Sequence, residues 1–361
     1  MTEHAVLDPR DPRAEPALTH WLALQRALAL APQAAVDALR ADPDPRRALG
    51  AAEDHAPSDA APAAEARRRL LRSGAVLVPW GTPAYPPRLA RISDPAPVLS
   101  VQGDVSALHA PAVAVVGSRA ASAYGRSVAR ELAGGLAAAG LVVVSGLAHG
   151  IDGEAHAAAL EAGGRTVAVQ ACGSDHVYPA RHRRLARRIA GQGAVVTELP
   201  PGARPRPAYF PLRNRLIAGL ARALLVVEAR ERSGSLVSVR HALAQGAEVF
   251  AVPGPITSPA SAGPNRLLAE GAWPALSVEQ VLAVLALPGA PAAPGGPALP
   301  AAAERVLAAL HESPAGPDEL ARRLSGEGDL PEGSDLSLAL LELEIAGRVA
   351  RDRDGRFRVL A

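Results

Sequence analysis

Short apolar runs alternate with helical stretches along the middle of the chain. Between about residues 75 and 285, each β-branched run ends in glycine or a polar residue, and apolar positions with helical spacing follow it. Apolar runs without polar alternation are typical of strands buried on both faces. We predict six strands: Val113–Val116, Val142–Val144, Thr166–Val169, Val195–Thr197, Leu224–Val227 and Val249–Val252.

This regular alternation predicts an α/β fold. Strands that alternate with helices form a Rossmann-like, doubly wound and mostly parallel sheet with helices on both faces. Ligands of such sheets bind beyond the carboxyl ends of the strands. The residues that follow each strand are therefore where binding chemistry is expected.

Other patterns flank this region. Before it, Trp21–Leu30 and Pro32–Leu39 have helical spacing, and His55–Ala64 is rich in Ala, Pro and Asp. After it, residues 287–300 have the Ala/Pro/Gly composition of a flexible linker. We predict a small helical, SAM-like module (1–72), a Rossmann-like domain (73–286), a linker (287–300) and a further domain (301–361).

The last domain has the element order of a winged helix. Three helical patterns, Glu304–His311, Pro317–Leu324 and Leu336–Ala346, precede a strand pattern at Arg356–Leu360. We expect the Leu336, Leu340 and Leu343 face to pack against another domain or protein.

Composition excludes several classes of protein. The 361 residues are 48% hydrophobic and 20% charged, which is typical of a folded protein. Cys172 is the single cysteine, so no internal disulfide is expected. No apolar stretch approaches the roughly 20 residues of a membrane span, and no signal pattern begins the chain. We expect a cytoplasmic protein with no membrane role.

Arginine supplies all the basic charge apart from histidine. The net charge of +2 is too small to predict a polyanion partner, so the placement of charge must carry that argument. The sequence contains no lysine. Any phosphate-binding side chain would therefore offer a planar guanidinium, which can also stack on bases.

The turn after the first strand has the form of a phosphate site. Gly117, Ser118 and Arg119 lead into a helix, where backbone N–H groups, a hydroxyl and a guanidinium could meet an anion. An ordinary strand-to-helix connection is the alternative. The turn lacks the glycine pattern of dinucleotide sites and the lysine of P-loops, so we expect no cofactor.

The second and third strands end at Gly146 and Gly173, which we include among the candidate binding residues. Downstream of Gly146, Asp152 is expected to cap a helix that contains His156. These two could form a metal pair, but a third ligand is missing, so no metal is expected. Cys172 is expected to be buried rather than nucleophilic.

Three arginine-rich or hydroxyl-rich stretches follow. Arginines interleaved with aromatic residues are typical of single-strand binding, since bases stack on rings while guanidiniums contact phosphates. A solvated helix face, or ion pairs of Arg213 or Arg215 with Glu228 or Glu198, are the alternatives. The candidate binding residues here are Arg181, Arg183, Arg206, Phe210, Arg213, Asn214, Ser233, Gly234 and Ser235.

These motifs together resemble the DNA-processing protein A (Smf/DprA) family over roughly residues 80 to 285. The segments VAVVGSR, VVVSGLAHGID, YP, YFPLRNRLIAGL, VVEARERSGSL and EVFAVPGPI occur in the family's order and spacing. The terminal LALLELEIAGRVARDRDGRFRV is similar to its winged-helix end. The resemblance implies a Rossmann-like core that dimerises, binds single-stranded DNA and loads the RecA recombinase during natural transformation. Single-strand-binding protein is a further candidate partner.

The resemblance also implies roles for residues. Gly117, Ser118 and Arg119 match the family's DNA pocket, Phe210 its base-contacting aromatic residue, and 213–215 its Arg-Asn-Arg motif. This sequence departs from the family at His149, which stands where an arginine is usual. It also lacks the family's lysines, and we expect Arg181, Arg183 and Arg206 to replace them.

Two rival functions come from other classes. A related Rossmann-like group hydrolyses nucleoside monophosphates, but its chemistry needs a glutamate in a turn that reads Ser233–Ser238 here, without a carboxylate. A winged-helix regulator of duplex DNA is the other rival. Its helices would carry Arg322, Arg323 and Arg348 beside Glu319, Glu342 and Glu344, so a phosphate-facing surface is not evident. We therefore expect no catalytic residue and a non-enzymatic binder of single-stranded DNA.

Overall fold

A computed structural model describes the chain in segments: residues 6–27, 31–50, 61–286, 300–325, 336–345, 349–352 and 355–359. The chain divides into two compact units, Met1–Gly289 and Ala290–Ala361, and each is described by itself. Residues 28–30 of the first predicted helix, and all of the predicted linker except Pro300, lie outside the described residues.

Helices open the first unit and pack on its sheet. They are α1 (Glu15–Ala27), α2 (Pro32–Ala41), α3 (Pro45–Gly50) and α4 (Ala63–Ser73). Proline begins α2 and α3, where its missing N–H is not needed for a helical hydrogen bond. Leu18, Trp21 and Leu70 are buried in one cluster with Leu77 and Val98 of the sheet. The helices thus share a core with the sheet, and the boundary at residue 72 stays a prediction.

The sheet is mixed but mostly parallel. Its strands are β1 (Val76–Pro79), β2 (Val98–Gly103), β3 (Ala112–Val116), β4 (Val142–Ser145), β5 (Thr166–Val169), β6 (Ala194–Thr197), β7 (Ala223–Val226), β8 (Glu248–Ala251) and β9 (Trp273–Pro274). Their order is β1-β2-β6-β5-β4-β3-β7-β8-β9. Strands β3 to β9 are parallel, whereas β2 runs antiparallel to β6 and to β1. The Rossmann-like prediction is confirmed, and the six predicted strands are β3 to β8.

Helices connect these strands. They are α5 (Ala123–Ala138), α6 (Ile151–Glu161), α7 (Arg183–Gln192), α8 (Tyr209–Leu220), α9 (Ser235–Ala244), α10 (Ala262–Ala269) and α11 (Val278–Val284). Short 3₁₀ helices lie at Pro12–Ala14, Leu89–Arg91, Val105–Leu108 and Ala180–His182. No helix in the described segments is both long enough and apolar enough to cross a membrane.

The strand order creates a switch point beside β3. From β3 the chain adds β4, β5 and β6 on one side, then returns to place β7, β8 and β9 on the other. The turns after β3 and β7 therefore leave in opposite directions and open a crevice at the carboxyl ends of these two strands. Ligands of doubly wound sheets bind in such a crevice.

The second unit is a winged helix, as predicted. Helices α12 (Ala301–Glu312), α13 (Pro317–Ser325) and α14 (Leu336–Ile345) precede an antiparallel hairpin of β10 (Val349–Arg351) and β11 (Phe357–Val359). Ala346, Arg348 and Leu360 lie outside the described residues.

The prediction that the Leu336, Leu340 and Leu343 face packs against another domain or protein is wrong. Leu340 and Leu343 are buried in this unit's own core, and Leu336 packs against that core at its edge. The exposed apolar side chains of α14 are instead Leu338 and Leu341. Amphipathic spacing identified a buried face but could not say which element covers it.

Candidate nucleic-acid interface

A cleft of about 420 Å³ occupies the switch point. The turn after β3, the first turns of α8 and the turn after β7 form its walls. The predicted site residues that line it are Gly117, Ser118, Arg119, Phe210, Arg213, Asn214, Ser233, Gly234 and Ser235.

The turn after β3 is shaped by close packing against α6. A Cβ atom on Gly117 would lie 2.6 Å from Cγ1 of Ile151, so only glycine fits there. The carbonyl oxygen of Ser118 accepts a hydrogen bond from the Ile151 N–H (3.2 Å), and its hydroxyl accepts one from the Ala120 N–H (3.1 Å). This turn holds Arg119 in an exposed position at the mouth of the cleft.

The helix after this turn has its own cap. Ser122 accepts a hydrogen bond from the Gly125 N–H, and Glu228 accepts hydrogen bonds from the Ser122 N–H (2.9 Å) and hydroxyl. Glu228 therefore stabilises the start of α5 and does not pair with Arg213 or Arg215. Since Ser122 already caps the Gly125 N–H and is itself held by Glu228, the full charge of Arg119 is the strongest anion-binding group of this segment.

Arg119 and Phe210 meet across the cleft. The Arg119 guanidinium carbon lies 4.7 Å from the centre of the Phe210 ring, within the range of a cation–π contact. Tyr178, which is 42% exposed, places its ring 5.6 Å from the centre of the Phe210 ring. A charge and two rings thus share one accessible surface.

Arg213 is a structural arginine beneath that surface. It is only 5% exposed, and its Nη1 donates to the carbonyl oxygens of Gly146 (2.7 Å) and Val169. Its Nε donates to the Asn214 side chain (3.2 Å). Burial lowers the pKa of Arg213 to about 10, so it stays charged at neutral pH. A direct DNA contact by Arg213 stays a prediction.

Glycine is required at position 146 because the Arg213 side chain lies directly against it. A Cβ atom at Gly146 would lie 2.6 Å from Arg213 Nη1. A role of Gly146 in DNA binding also stays a prediction. Asn214 donates from Nδ2 to the Gly234 carbonyl oxygen (3.4 Å) and so joins α8 to the turn after β7. Within that turn, the hydroxyls of Ser233 and Ser235 are hydrogen-bonded to each other (2.7 Å).

Arg215 forms a buried ion pair, as the sequence alternative proposed. It is 1% exposed and contacts both carboxylate oxygens of Glu198, at 3.1 and 2.5 Å. Its Nε lies 3.0 Å from Asp94. Arg215 therefore anchors α8 to β6 and does not line the cleft.

Asp152 does not cap α6, so that prediction is wrong. Gly150, with φ of 72°, is the N-cap, and Asp152 lies within the first turn. Its buried carboxylate accepts hydrogen bonds from the N–H groups of Gly146 (3.1 Å) and Ala148 (3.4 Å). Asp152 thereby fixes the loop after β4.

His156 and Cys172 are buried core residues. His156 Nδ1 is hydrogen-bonded to the Thr166 hydroxyl (2.7 Å), and burial lowers its pKa to about 3. Burial raises the pKa of Cys172 to about 12, so its thiol is protonated at neutral pH. No group of three metal-ligating side chains is found in the part of the chain that the structure describes.

Five predicted residues do not line the cleft: Gly146, described above, and Gly173, Arg181, Arg183 and Arg206. Gly173 follows β5 and packs against residues 200–203, where a Cβ atom would lie 2.4 Å from the Pro200 carbonyl oxygen. Arg181, Arg183 and Arg206 are exposed. Their contribution to DNA binding stays a prediction.

The sequence-based list of binding residues left out two groups of basic residues, although His149 was noted as a departure from the family. Arg230 and Arg232 line the cleft beside Ser233, and their position directly after β7 was the available signal. His149 lies edge-on to His182, with ring centres 5.1 Å apart. Burial lowers the pKa of His149, and the nearby charges of Arg181, His182 and Arg119 lower it further.

The chain matches the sequence model described as DNA recombination-mediator protein A over residues 76–286. It belongs to the DNA-processing protein A (DprA/Smf) family. A second model, the DprA winged helix domain, matches residues 290–355. The family resemblance drawn from the motifs is thereby confirmed.

Two bacterial relatives support the assignment. Protein Smf of Escherichia coli is 47% identical over 207 residues, covering 57% of this chain and 55% of the relative. DNA processing protein DprA of Bacillus subtilis is 41% identical over 209 residues, covering 58% and 70%. The match thus spans little more than half of the E. coli protein.

Solved structures share the fold. The DprA structure from Streptococcus pneumoniae superposes with a TM-score of 0.64 at 34% identity and covers 73% of this chain and 97% of that one. A structure concerned with the single-stranded DNA binding mode of DNA processing protein A from Helicobacter pylori gives a TM-score of 0.52 at 30% identity. It covers 56% of this chain and 92% of that one.

Proposed function

We propose that this protein binds single-stranded DNA in the cleft between β3 and β7, without cutting it. The observation that carries the proposal is the contact of Arg119 with Phe210 at the mouth of a switch-point cleft. A phosphate can pair with the guanidinium while the neighbouring base stacks on the ring, which is how sequence-tolerant single-strand binding works. The H. pylori relative, whose structure concerns single-stranded DNA binding, supports this choice of ligand.

The same cleft does not favour hydrolysis of a nucleoside monophosphate. Among the described residues that line it, Asp152 is the only carboxylate. That carboxylate is buried and already accepts two backbone N–H groups, so it is badly placed to act as a catalytic acid or base. Incubation with nucleoside monophosphates and chromatography for free base tests this rival directly, and we expect no release.

We further propose that the protein acts as a dimer that loads RecA onto single-stranded DNA during transformation or recombination. Exposed apolar side chains near the β8–β9 edge of the sheet support a dimer surface: Leu243, Ile256, Trp273 and Leu276. Strand β9 pairs with β8 at two positions only, so this edge is short and available to a partner. RecA loading rests on the family assignment.

The salt dependence of affinity tests the binding proposal. Fluorescence anisotropy with a labelled oligothymidine and with a duplex of equal length would be measured over a range of salt. We expect tighter binding of the single strand, with a log–log slope of about −0.7 per neutralised phosphate. Equal affinity for duplex, or binding that salt does not weaken, would contradict the proposal.

A further inference from the structure

A second, larger groove lies beside α7. Its volume is about 980 Å³, more than twice that of the switch-point cleft. One wall is the end of α4 with Arg69 and Arg72, the floor includes Gln102 of β2, and the other wall is α7. We call this surface the α4–α7 groove.

Helix α7 lines the groove with arginine. Arg183 and Arg187 are four residues apart and so lie on one face of the helix, with Ala186 and Ala190 between and beside them. The small alanines leave the groove deep. Within the described part of the chain, neither Arg183 nor Arg187 forms an ion pair, and both are exposed. Their charges are therefore available to an anion.

The two walls are held together by a fixed hydrogen-bond network. Gln102 Nε2 donates to the carbonyl oxygens of Ser73 and Ser174, both at 2.9 Å. Asp175 pairs with Arg69 (3.0 Å) and accepts a hydrogen bond from the Gly202 N–H (2.8 Å). This network neutralises Arg69 and sets the groove's width before any ligand arrives.

Two chain segments connect the groove to the DNA cleft. In the first, Arg204 and Pro205 line the groove, while Phe210 lines the cleft. In the second, Val177 lines the groove, while Tyr178 packs against Phe210. The Tyr178–Phe210 pair is thus the ridge between the two surfaces. A strand with a base stacked at Phe210 is thus bound next to chain segments that also line the groove.

We infer that the α4–α7 groove binds the phosphates of the same single strand whose base stacks at Phe210. The inference rests on the proposed function. No phenylalanine, tyrosine or tryptophan is among the described residues that line the groove, and His176 is the one ring there, so the groove offers mainly charge. It should therefore contact backbone rather than bases. It gives the N-terminal helices a part in DNA binding through Arg72, which is exposed although it pairs with Glu65 (3.1 Å).

Helix α7 supplies its own matched control. Arg183→Ala/Arg187→Ala removes two charges that face the groove, and Arg184→Ala/Arg188→Ala removes two exposed charges from the same helix that do not line it. Both variants of the full chain have the same net charge, so a general loss of positive field affects them equally. Anisotropy would be measured with oligothymidines of roughly 6 and roughly 20 nucleotides, lengths near and beyond one binding surface.

The groove-facing variant should weaken binding of the long strand by on the order of tenfold and flatten its salt slope by about 1.4, two phosphates' worth. It should leave the short strand unchanged, and the control pair should do much less to either. Arg72→Ala on the opposite wall should weaken the long strand alone, which gives a second reading independent of α7.

Equal losses from the two α7 variants, or no length-dependent loss from the groove-facing one, would overturn the inference. Failure of the proposed function looks different. In that case the parent protein itself would not bind the short strand, with or without substitutions in the groove.

Discussion

The Arg119 guanidinium carbon lies 4.7 Å from the centre of the Phe210 ring. Arg119 comes from the turn after β3 and Phe210 from the first turn of α8, so the contact closes the mouth of the cleft from both sides. The ring holds the guanidinium near its own face, and the guanidinium is placed to meet a phosphate next to a stacked base. Charge and stacking surface are thereby coupled.

Substitutions at these two positions should weaken DNA binding by different routes. Arg119→Ala should flatten the salt slope by about 0.7, one phosphate's worth. Phe210→Ala should cost about 1–3 kcal/mol in affinity with little change of slope, since stacking releases no counterions. Anisotropy titrations at several salt concentrations measure both. Arg240→Ala, on the exposed face of α9 outside the cleft, is the control, and folded variants that bind like the parent would show that the site lies elsewhere.

His149 should make single-strand affinity depend on pH. In the free protein its pKa is lowered by burial and by Arg181, His182 and Arg119, so it is uncharged at neutral pH. A phosphate nearby favours the charged ring and raises the pKa in the complex. Binding then takes up a proton, and affinity should rise as pH falls from about 7 toward 5.5.

His149→Gln should remove that rise, whereas His149→Arg should strengthen binding at every pH and steepen the salt slope by about 0.7. Titrations across this pH range measure the effect. His241→Gln, in a half-buried position on α9, removes a histidine away from the cleft and should leave the rise intact. A parent affinity that does not change with pH would contradict a phosphate contact at His149.

Arg215 should matter for stability rather than for DNA contact. Arg215→Met leaves the buried Glu198 without its bidentate partner, and breaking such a pair typically costs about 3–5 kcal/mol. Urea unfolding followed by tryptophan fluorescence suits the test, because Trp21, Trp80 and Trp273 all lie in the first unit. Adding Glu198→Gln should recover part of the loss, and Arg240→Met should change little. A loss below about 1 kcal/mol would mean that Glu198 finds other partners.

Strands β3 to β8 could be predicted because each contains a short, buried apolar run. Strands β1, β2 and β9 could not. Pro79 ends β1, Ser100 and Gln102 interrupt β2, and β9 has two residues. Each joins the sheet through tertiary pairing at or near an edge, which local periodicity does not encode.

The cleft residues that follow directly after a strand could be predicted, because their position in the chain places them at the site. Strand order places the turns after β3 and β7 together, so Arg119 and Ser233 could be assigned from sequence. Whether an arginine on α8 is exposed or buried depends on which carbonyl oxygens accept its hydrogen bonds. Arg213 reaches those of Gly146 and Val169, which were visible only once β4 and β5 lay beneath the helix.

The winged helix should be dispensable for core single-strand binding. The chain divides at Gly289, and every residue assigned to the cleft precedes that point. Helix α14 carries the half-buried Glu342 and the exposed Glu344, and like charge beside a phosphate backbone opposes binding. Arg323 of α13 pairs with Glu319 and donates to the Ser313 hydroxyl (2.9 Å), so its charge is already compensated.

A truncated chain ending at Gly289 should therefore fold and keep its single-strand affinity within about tenfold, roughly 1.4 kcal/mol, of the full chain. Circular dichroism checks the fold, and anisotropy with oligothymidine measures the affinity. Glu342→Gln/Glu344→Gln in the full chain is the matching control and should leave binding of short strands unchanged. If the folded, truncated protein binds more than about tenfold more weakly, the winged helix contributes directly to the DNA site. Arg322, which forms no ion pair with any residue that the structure describes, is then the first residue to test.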